Sequence, residues 1–260
     1  MVVIRRHIRR YLAAMGVAML LPGAAHADAP GALSDAWLRG LAQQQEAVAW
    51  SHAVVARKET RERLPQHQRR LVAELDTLVA SARLAGAGQL GQGLAEWRAQ
   101  VAQAGQDTLR TPGRHDLPWI AADLRRDLPL SQVAHFGLCT PPSWVEVWHH
   151  RGITRVDWQP AMTLRDAVER LPQAAWASAN QAVVITPTGK RLSRGVATWN
   201  RETAALAPGS RIMLALPEAQ GLRTALPFPG TVEEASWVNR ELPEFLATRL
   251  PADQCTLWKP

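Results

Sequence analysis

The segment from Trp144 to Leu216 constrains the fold most, because strand periods, turn residues and one helix period follow one another with almost no slack. Trp144-Val145-Glu146-Val147-Trp148-His149 alternates with a period of two, and Arg151-Gly152 can turn the chain back into a second strand at Ile153–Trp158. Thr163 then offers a hydroxyl N-cap with Asp166 three residues on. Leu164, Ala167, Val168 and Leu171 share one helical face, and Pro172 closes the helix. Ala182–Thr186 is a β-rich run. Thr186-Pro187-Thr188-Gly189 suits the turn of a hairpin, with proline presetting φ and glycine free to take the left-handed conformation. Arg211–Leu216 is a last strand, launched by Pro208-Gly209. The order is hairpin, helix, strand, returning strand and final strand, and a small curved sheet clasping one helix is the economical way to bury these faces.

That arrangement predicts a β-grasp (ubiquitin-like) domain over residues 142–217, in a chain of α+β class. Ahead of it, Leu33 to about Gly105 reads as helical. Trp37, Leu41, Val48, His52 and Val55 keep a helical spacing up to the polar KETRER stretch, which predicts a first helix running through Val55. Leu71, Val72, Leu75, Leu78, Val79 and Ala82 form the stripe of a second helix with Pro65 in its first turn, and Leu94, Trp97 and Val101 mark a third. Residues 105–142 are rich in turn formers and read as a connector with short extended pieces. In the closing segment, 218–260, Thr231-Val232-Glu233-Glu234 fits a capping box. Leu242, Phe245, Leu246 and Leu250 give the apolar face of an amphipathic helix that Pro243 should kink or restart. Packing on the body of the protein is the ordinary use of such a face; contact with a partner or a membrane surface is the alternative.

The chain opens with Arg5, Arg6, Arg9 and Arg10, a short apolar run from Tyr11 to Leu21, and Ala25-His26-Ala27. This is the layout of a cleaved secretory signal peptide over residues 1–27, and no later stretch approaches membrane-spanning length. The whole chain carries a net charge of +7. Residues 1–27 hold four arginines and no acid, so the mature chain has 26 basic against 23 acidic residues, a net of +3. That balance gives no support to a nucleic-acid partner. In an oxidising compartment the two cysteines, Cys139 and Cys255, favour one disulfide over two buried thiols.

Two sequences that resemble nucleotide motifs fail on context. Gly86-Ala87-Gly88-Gln89-Leu90-Gly91 matches G-x-G-x-x-G, but a helix rather than a strand precedes it. Gly189-Lys190 lacks both the glycine of a phosphate loop, where Val184 stands, and its hydroxyl residue, where Arg191 stands. No catalytic motif is present, and neither a cofactor nor a metal is predicted. His149 with Asp157 is the one pair worth testing as a dyad, although it lacks a nucleophile. Lys190, Arg191 and Arg194 form the best basic cluster, with Trp158 and Trp199 as stacking faces for an acidic glycan. A solvated strand rim, and core positions for the two tryptophans, are the plainer readings.

The pieces VDWQPAMTLRDAVERL, VVITPTGKRLSRGVATWN and LAPGSRIMLAL, followed by WVNRELPEFLATRLP, resemble the second domain and terminal helix of GfcC-like capsule biosynthesis proteins. The resemblance covers roughly Pro141 to Pro260. It implies a periplasmic protein with two β-grasp domains, the first carrying a helical insertion, and a second domain similar to the soluble-ligand-binding β-grasp modules of polysaccharide exporters. The implied role is non-enzymatic help in capsule or exopolysaccharide assembly or export, through binding of the polysaccharide or of outer-membrane export proteins. A carbohydrate-processing enzyme and a purely protein-binding adaptor are the alternatives. In one respect the chain departs from the family: strands of the first domain are expected ahead of the helices, where only residues 28–33 stand, so that domain, within 28–141, reads as reduced or rebuilt.

Overall fold

A computed structural model of the chain describes residues 31–42, 44, 47–217 and 231–260. The predicted signal peptide lies outside these residues, as does the side chain of Thr231 in the predicted capping box. The described residues form an α+β structure with two sheets and a layer of helices between them.

The larger sheet is the one read from the sequence. It comprises β3 (Trp144–His149), β4 (Gly152–Asp157), β5 (Gln181–Ile185), β6 (Arg191–Gly195) and β7 (Arg211–Leu214), in the spatial order β4-β3-β7-β5-β6. All neighbours are antiparallel except β3 and β7, which run parallel at the centre. Helix α5 (Leu164–Glu169) crosses one face. Its capping box is complete: the Asp166 carboxylate accepts the Thr163 backbone N–H at 2.8 Å, and the Thr163 hydroxyl accepts the Asp166 N–H at 3.3 Å. Val145, Val147, Val184, Ile212 and Leu214 meet Leu164, Ala167 and Val168 to form the core on that side. The β5–β6 turn closes where the sequence places it. Gly189 sits at φ +81°, and its N–H donates to the Thr186 carbonyl at 2.8 Å.

The other face of this sheet packs on α3 (Gly88–Gln103) and α6 (Thr231–Ala247), and α2 (Lys58–Leu84) packs on both of these helices in the same core. The Leu71, Leu75, Leu78, Val79 and Ala82 stripe of α2 is buried, as are Leu94, Trp97 and Val101 of α3. Gly93 lets α3 approach the β3–β4 turn, since a Cβ there would lie 2.4 Å from the His150 carbonyl oxygen. Gly88 and Gly91 lie within α3 itself, so the glycine-rich stretch is a turn and a helix start. The apolar face of α6 is spent in this core: Leu242, Phe245 and Leu246 are at most 2% exposed. Leu250 follows the helix and is buried in a small cluster with Val54 and Cys139. These four residues therefore form no free docking face for a membrane or partner. Pro243 is accommodated inside α6, which neither stops nor restarts there.

The smaller sheet departs from the sequence reading. The first helix, α1 (Leu33–Leu41), ends well before Val55. Val55 lies in a strand, β1 (Ala53–Arg57), which runs directly into α2 at Lys58. The KETRER stretch is thus the solvated start of α2, with an Arg63–Glu59 ion pair at 2.9 Å, and Pro65 falls inside the helix rather than in its first turn. β1 pairs with β2 (Val133–Cys139), which emerges from the predicted connector after its short helix α4 (Leu117–Ala121), and β2 pairs with β8 (Cys255–Trp258). Cys139 and Cys255 are register partners joined by a disulfide. Trp37 of α1 closes the far side of this sheet against Phe136, Trp50 and Trp258.

Candidate anion-binding cleft

The alternation of β3 that buries Val145 and Val147 under α5 turns Trp144, Glu146 and Trp148 to the opposite face. Register sets Arg155 of β4 and Arg211 of β7 directly opposite Glu146, one on each side. Glu146 consequently accepts from Arg211 Nε at 3.2 Å, Arg155 Nε at 3.3 Å and the Trp148 indole at 2.9 Å. Its side chain and that of Arg211 are each only 11% exposed. A carboxylate so enclosed requires donors around it, and here they come from three adjacent strands.

These residues floor a cleft of about 270 Å³, walled by the end of α3 (Gln100, Gln103) and by Phe245 and Arg249 at the end of α6. The chain after α6 supplies the rim. Arg155 makes a two-pronged contact with Asp253, Nη1 at 2.8 Å and Nη2 at 3.0 Å, and lies 4.2 Å over the Trp144 ring. The contact with Arg155 holds the Asp253 carboxyl below its ordinary range. Arg211 Nη2 donates to the Leu250 carbonyl at 2.8 Å.

Positive charge is in excess here. Among the described residues Arg249 donates only to neutral oxygens, the Gly105 carbonyl at 3.1 Å and the Thr108 hydroxyl. Arg110, 2% exposed behind the end of α6, donates to the Ala247 carbonyl at 3.0 Å and the Thr186 carbonyl at 3.2 Å, and its Nη1 is buried with no partner among the described residues. Among the described residues neither has a carboxylate within 4 Å. Burial, with repulsion from Arg211 second, draws Arg110 down to about 9 and Arg249 down to about 10. Three guanidinium groups, Arg155, Arg211 and Arg249, line the open cleft with one carboxylate, Glu146; Asp253 pairs with Arg155 at the rim, and Arg110 lies buried behind the end of α6. Such a field favours entry of an anion, and fixed arginine forks suit carboxylate or phosphate oxygens.

Of the residues singled out from sequence, Phe245 and Leu246 line this cleft, and the basic and tryptophan candidates lie outside it. Arg191 and Arg194 occupy opposite faces of β6, and Arg191 pairs with Glu244 of α6. Lys190 is exposed at the turn. Trp199 is 78% exposed, whereas Trp158 is half-buried against the α5 core with its indole donating to the Leu206 carbonyl at 2.8 Å. Trp158 follows β4 and the basic residues sit on β6, opposite edges of a five-stranded sheet and about 19 Å apart at ordinary strand spacing. His149 and Asp157 fall at opposite ends of their hairpin, paired with Gly152 and Trp144, so they form no dyad. His149 is instead a buried neutral histidine. Arg151 N–H donates to its Nδ1 at 3.3 Å, its Nε2 lies 3.0 Å from the Thr154 hydroxyl, and burial takes it down to about 4. The sequence signal for the cleft was a lone glutamate at the centre of an alternating apolar strand, a position that demands a cation.

Among the described residues no helix is long and apolar enough to cross a membrane, and no three His, Cys, Asp or Glu side chains are grouped to hold a metal ion. Residues 152–251 match the family model described as capsule biosynthesis GfcC C-terminal. The match begins on β4 and ends after α6. It takes in Arg155, Arg211 and Arg249, while Glu146 and Asp253 lie outside it.

Proposed function

From the premise that its C-terminal region is of the GfcC-like capsule biosynthesis family, which is consistent with an extracytoplasmic protein, we propose that this chain is a non-enzymatic periplasmic accessory of capsule or exopolysaccharide assembly or export. It acts by holding an anionic stretch of the polysaccharide in the cleft between β3, β4, β7 and the ends of α3 and α6. The observation that carries this reading is the arginine lining of an open polar cleft, in which Arg155, Arg211 and Arg249 converge and Arg249 has no acidic partner among the described residues. The family supports the polysaccharide context. Trp144 and Trp148 are buried on the same sheet face, Trp144 beneath the Arg155 guanidinium and Trp148 against Trp97, and they back the cleft floor rather than face the ligand.

Within this reading the larger sheet is a β-grasp domain. Its strand order, with the first and last strands parallel at the centre and one helix on one face, supports that assignment. The smaller sheet is a second, reduced β-grasp unit in which α2 and α3 are inserted between β1 and β2. The signal peptide over residues 1–27 would deliver the chain to the periplasm, where the Cys139–Cys255 bond is stable.

The test is deletion in the native host with surface polysaccharide scored, followed by complementation with wild type or with the Arg211→Gln/Arg249→Gln double variant. Loss on deletion, restored by wild type and not by a stably expressed double variant, is expected. Normal surface polysaccharide in the deletion strain overturns the assignment, and full rescue by the double variant overturns the cleft.

A further inference from the structure

We propose that the Asp253 carboxylate is a resident stand-in for the ligand's own, and that the cleft takes a uronate-type sugar whose carboxylate displaces Asp253 from the fork of Arg155. This inference rests on the reading of the cleft as a site for an anionic saccharide and adds the ligand's chemical class and the way it enters.

The geometry separates what holds Arg155 from what occupies it. Its Nε is held by Glu146 at 3.3 Å, and its guanidinium plane lies 4.2 Å over the Trp144 ring. Both contacts use groups fixed on β3. The two Nη groups face outward and are taken by the two oxygens of Asp253, at 2.8 and 3.0 Å. If Asp253 leaves, the fork stays aimed, because neither of its supports moves with the aspartate. What it then presents is a pair of parallel donors already matched to a planar carboxylate.

Asp253 is placed to leave and to return. Its side chain is 60% exposed and that of Arg155 is 48% exposed, so water screens the pair and solvates both groups when they part, while the two-pronged geometry and a hydrogen bond with Trp144 favour its return. Its backbone is pinned on both sides: the Leu250 carbonyl accepts from Arg211, the Gln254 carbonyl accepts from Thr140 N–H at 3.0 Å, and Cys255 is bonded to Cys139. Rotation of one short side chain opens the fork while the strap carrying it remains in place. Arg211 and Arg249 line the same cleft, and among the described residues Arg249 has only neutral partners. A cleft of about 270 Å³ lies at the small end of ligand pockets, about 300–1,000 Å³, and suits one or two sugar units rather than a long chain segment.

The experiment is calorimetric titration of the purified protein at low salt with a galacturonic acid tetrasaccharide, with its carboxyl-reduced neutral counterpart and a sulfated neutral tetrasaccharide as comparison arms. The proteins are wild type, Asp253→Asn, Arg155→Gln, the Asp253→Asn/Arg155→Gln pair and Arg249→Gln. Asp253→Asn is expected to bind the uronate about 3–10-fold more tightly than wild type, since it removes a competitor that is present at high effective concentration. Arg155→Gln should weaken binding, and Asp253→Asn should add nothing in its background. That non-additivity is what a merely structural role for Asp253 would not produce. Unchanged or weaker uronate binding by Asp253→Asn, while Arg249→Gln still weakens it, overturns the stand-in and leaves the anionic cleft intact. Equal binding of the sulfated sugar overturns the carboxylate class. Absence of uronate binding in every protein overturns both.

Discussion

Replacing Glu146 with glutamine tests whether the cleft is organised around a buried charge. In wild type, Glu146 and Arg211 meet at 3.2 Å with each side chain 11% exposed, and Arg155 meets the same carboxylate at 3.3 Å. At an effective dielectric of about 20, opposite charges at this separation attract by roughly 5 kcal/mol before desolvation is counted. What matters on mutation is the arginine left behind. Removing one partner of a buried pair costs about 3–5 kcal/mol, because the other charge stays buried and uncompensated. The second pair contributes little, under about 1 kcal/mol, because the Arg155 side chain is 48% exposed. Glutamine keeps one carbonyl oxygen for the Trp148 indole or a guanidinium, which sets the expected loss at the lower end, about 3 kcal/mol. Urea denaturation with a common m value reads this directly. The double variant Glu146→Gln/Arg211→Met should recover at least about 2 kcal/mol of the loss, since no orphaned charge remains. A loss below about 1 kcal/mol in Glu146→Gln, or no recovery in the double variant, would refute the reasoning.

Three further outcomes follow from other parts of the fold. The Cys139–Cys255 bond closes a separation of 116 residues; the Cys139→Ala/Cys255→Ala variant should lose about 2–4 kcal/mol. Hydrogen exchange at residues 256–258 should also rise, and unchanged protection there would mean that β8 needs no tether. His149 is held neutral, with its ordinary value of 6.5 lowered to about 4 by burial. Its contribution is fully present above pH 6.5 and is lost as pH falls toward 4, up to about 3 kcal/mol, and a His149→Gln variant should show a flatter pH–stability curve over that window. Gly189 sits at φ +81° with its would-be Cβ 3.0 Å from the Ala247 carbonyl and Pro112. Gly189→Ala should therefore cost about 1–3 kcal/mol in thermal or urea melts, and a neutral effect would contradict the left-handed turn.

The larger sheet was legible because its signals are local. The Thr163 and Asp166 pair caps α5 within three residues, the Thr186–Gly189 turn fixes its own hairpin, and the Trp144–His149 alternation states which side chains share a face. The smaller sheet was not legible, for a physical reason. Val54, Val55 and Ala56 are all buried, so β1 shows no alternation, and the spacing of His52 and Val55 imitates a helix face. β2 is nearly all buried as well, and its partners come from residues 53–57 and 255–258, which no local pattern joins. The cleft shares this difficulty. Glu146 and Arg211 are 65 residues apart, and Arg155 and Asp253 are 98 apart, so the sequence displays the contiguous basic cluster at 190–194 and not the one assembled in space. Glu146 itself was the readable clue, as a carboxylate between two valines and two tryptophans on a strand.

The central claim is that the arginine cleft binds an acidic sugar, and the most direct measurement is the affinity of the purified protein for a galacturonic acid tetrasaccharide against its neutral counterpart, in wild type and in Arg249→Gln. Arg249 has no acidic partner among the described residues, so its loss should leave the fold intact while removing donors from the cleft wall. The account predicts binding of the acidic sugar alone, weakening with salt, and at least a tenfold loss in Arg249→Gln at unchanged stability. Equal affinity for the neutral sugar, or an affinity that Arg249→Gln leaves untouched, would contradict it.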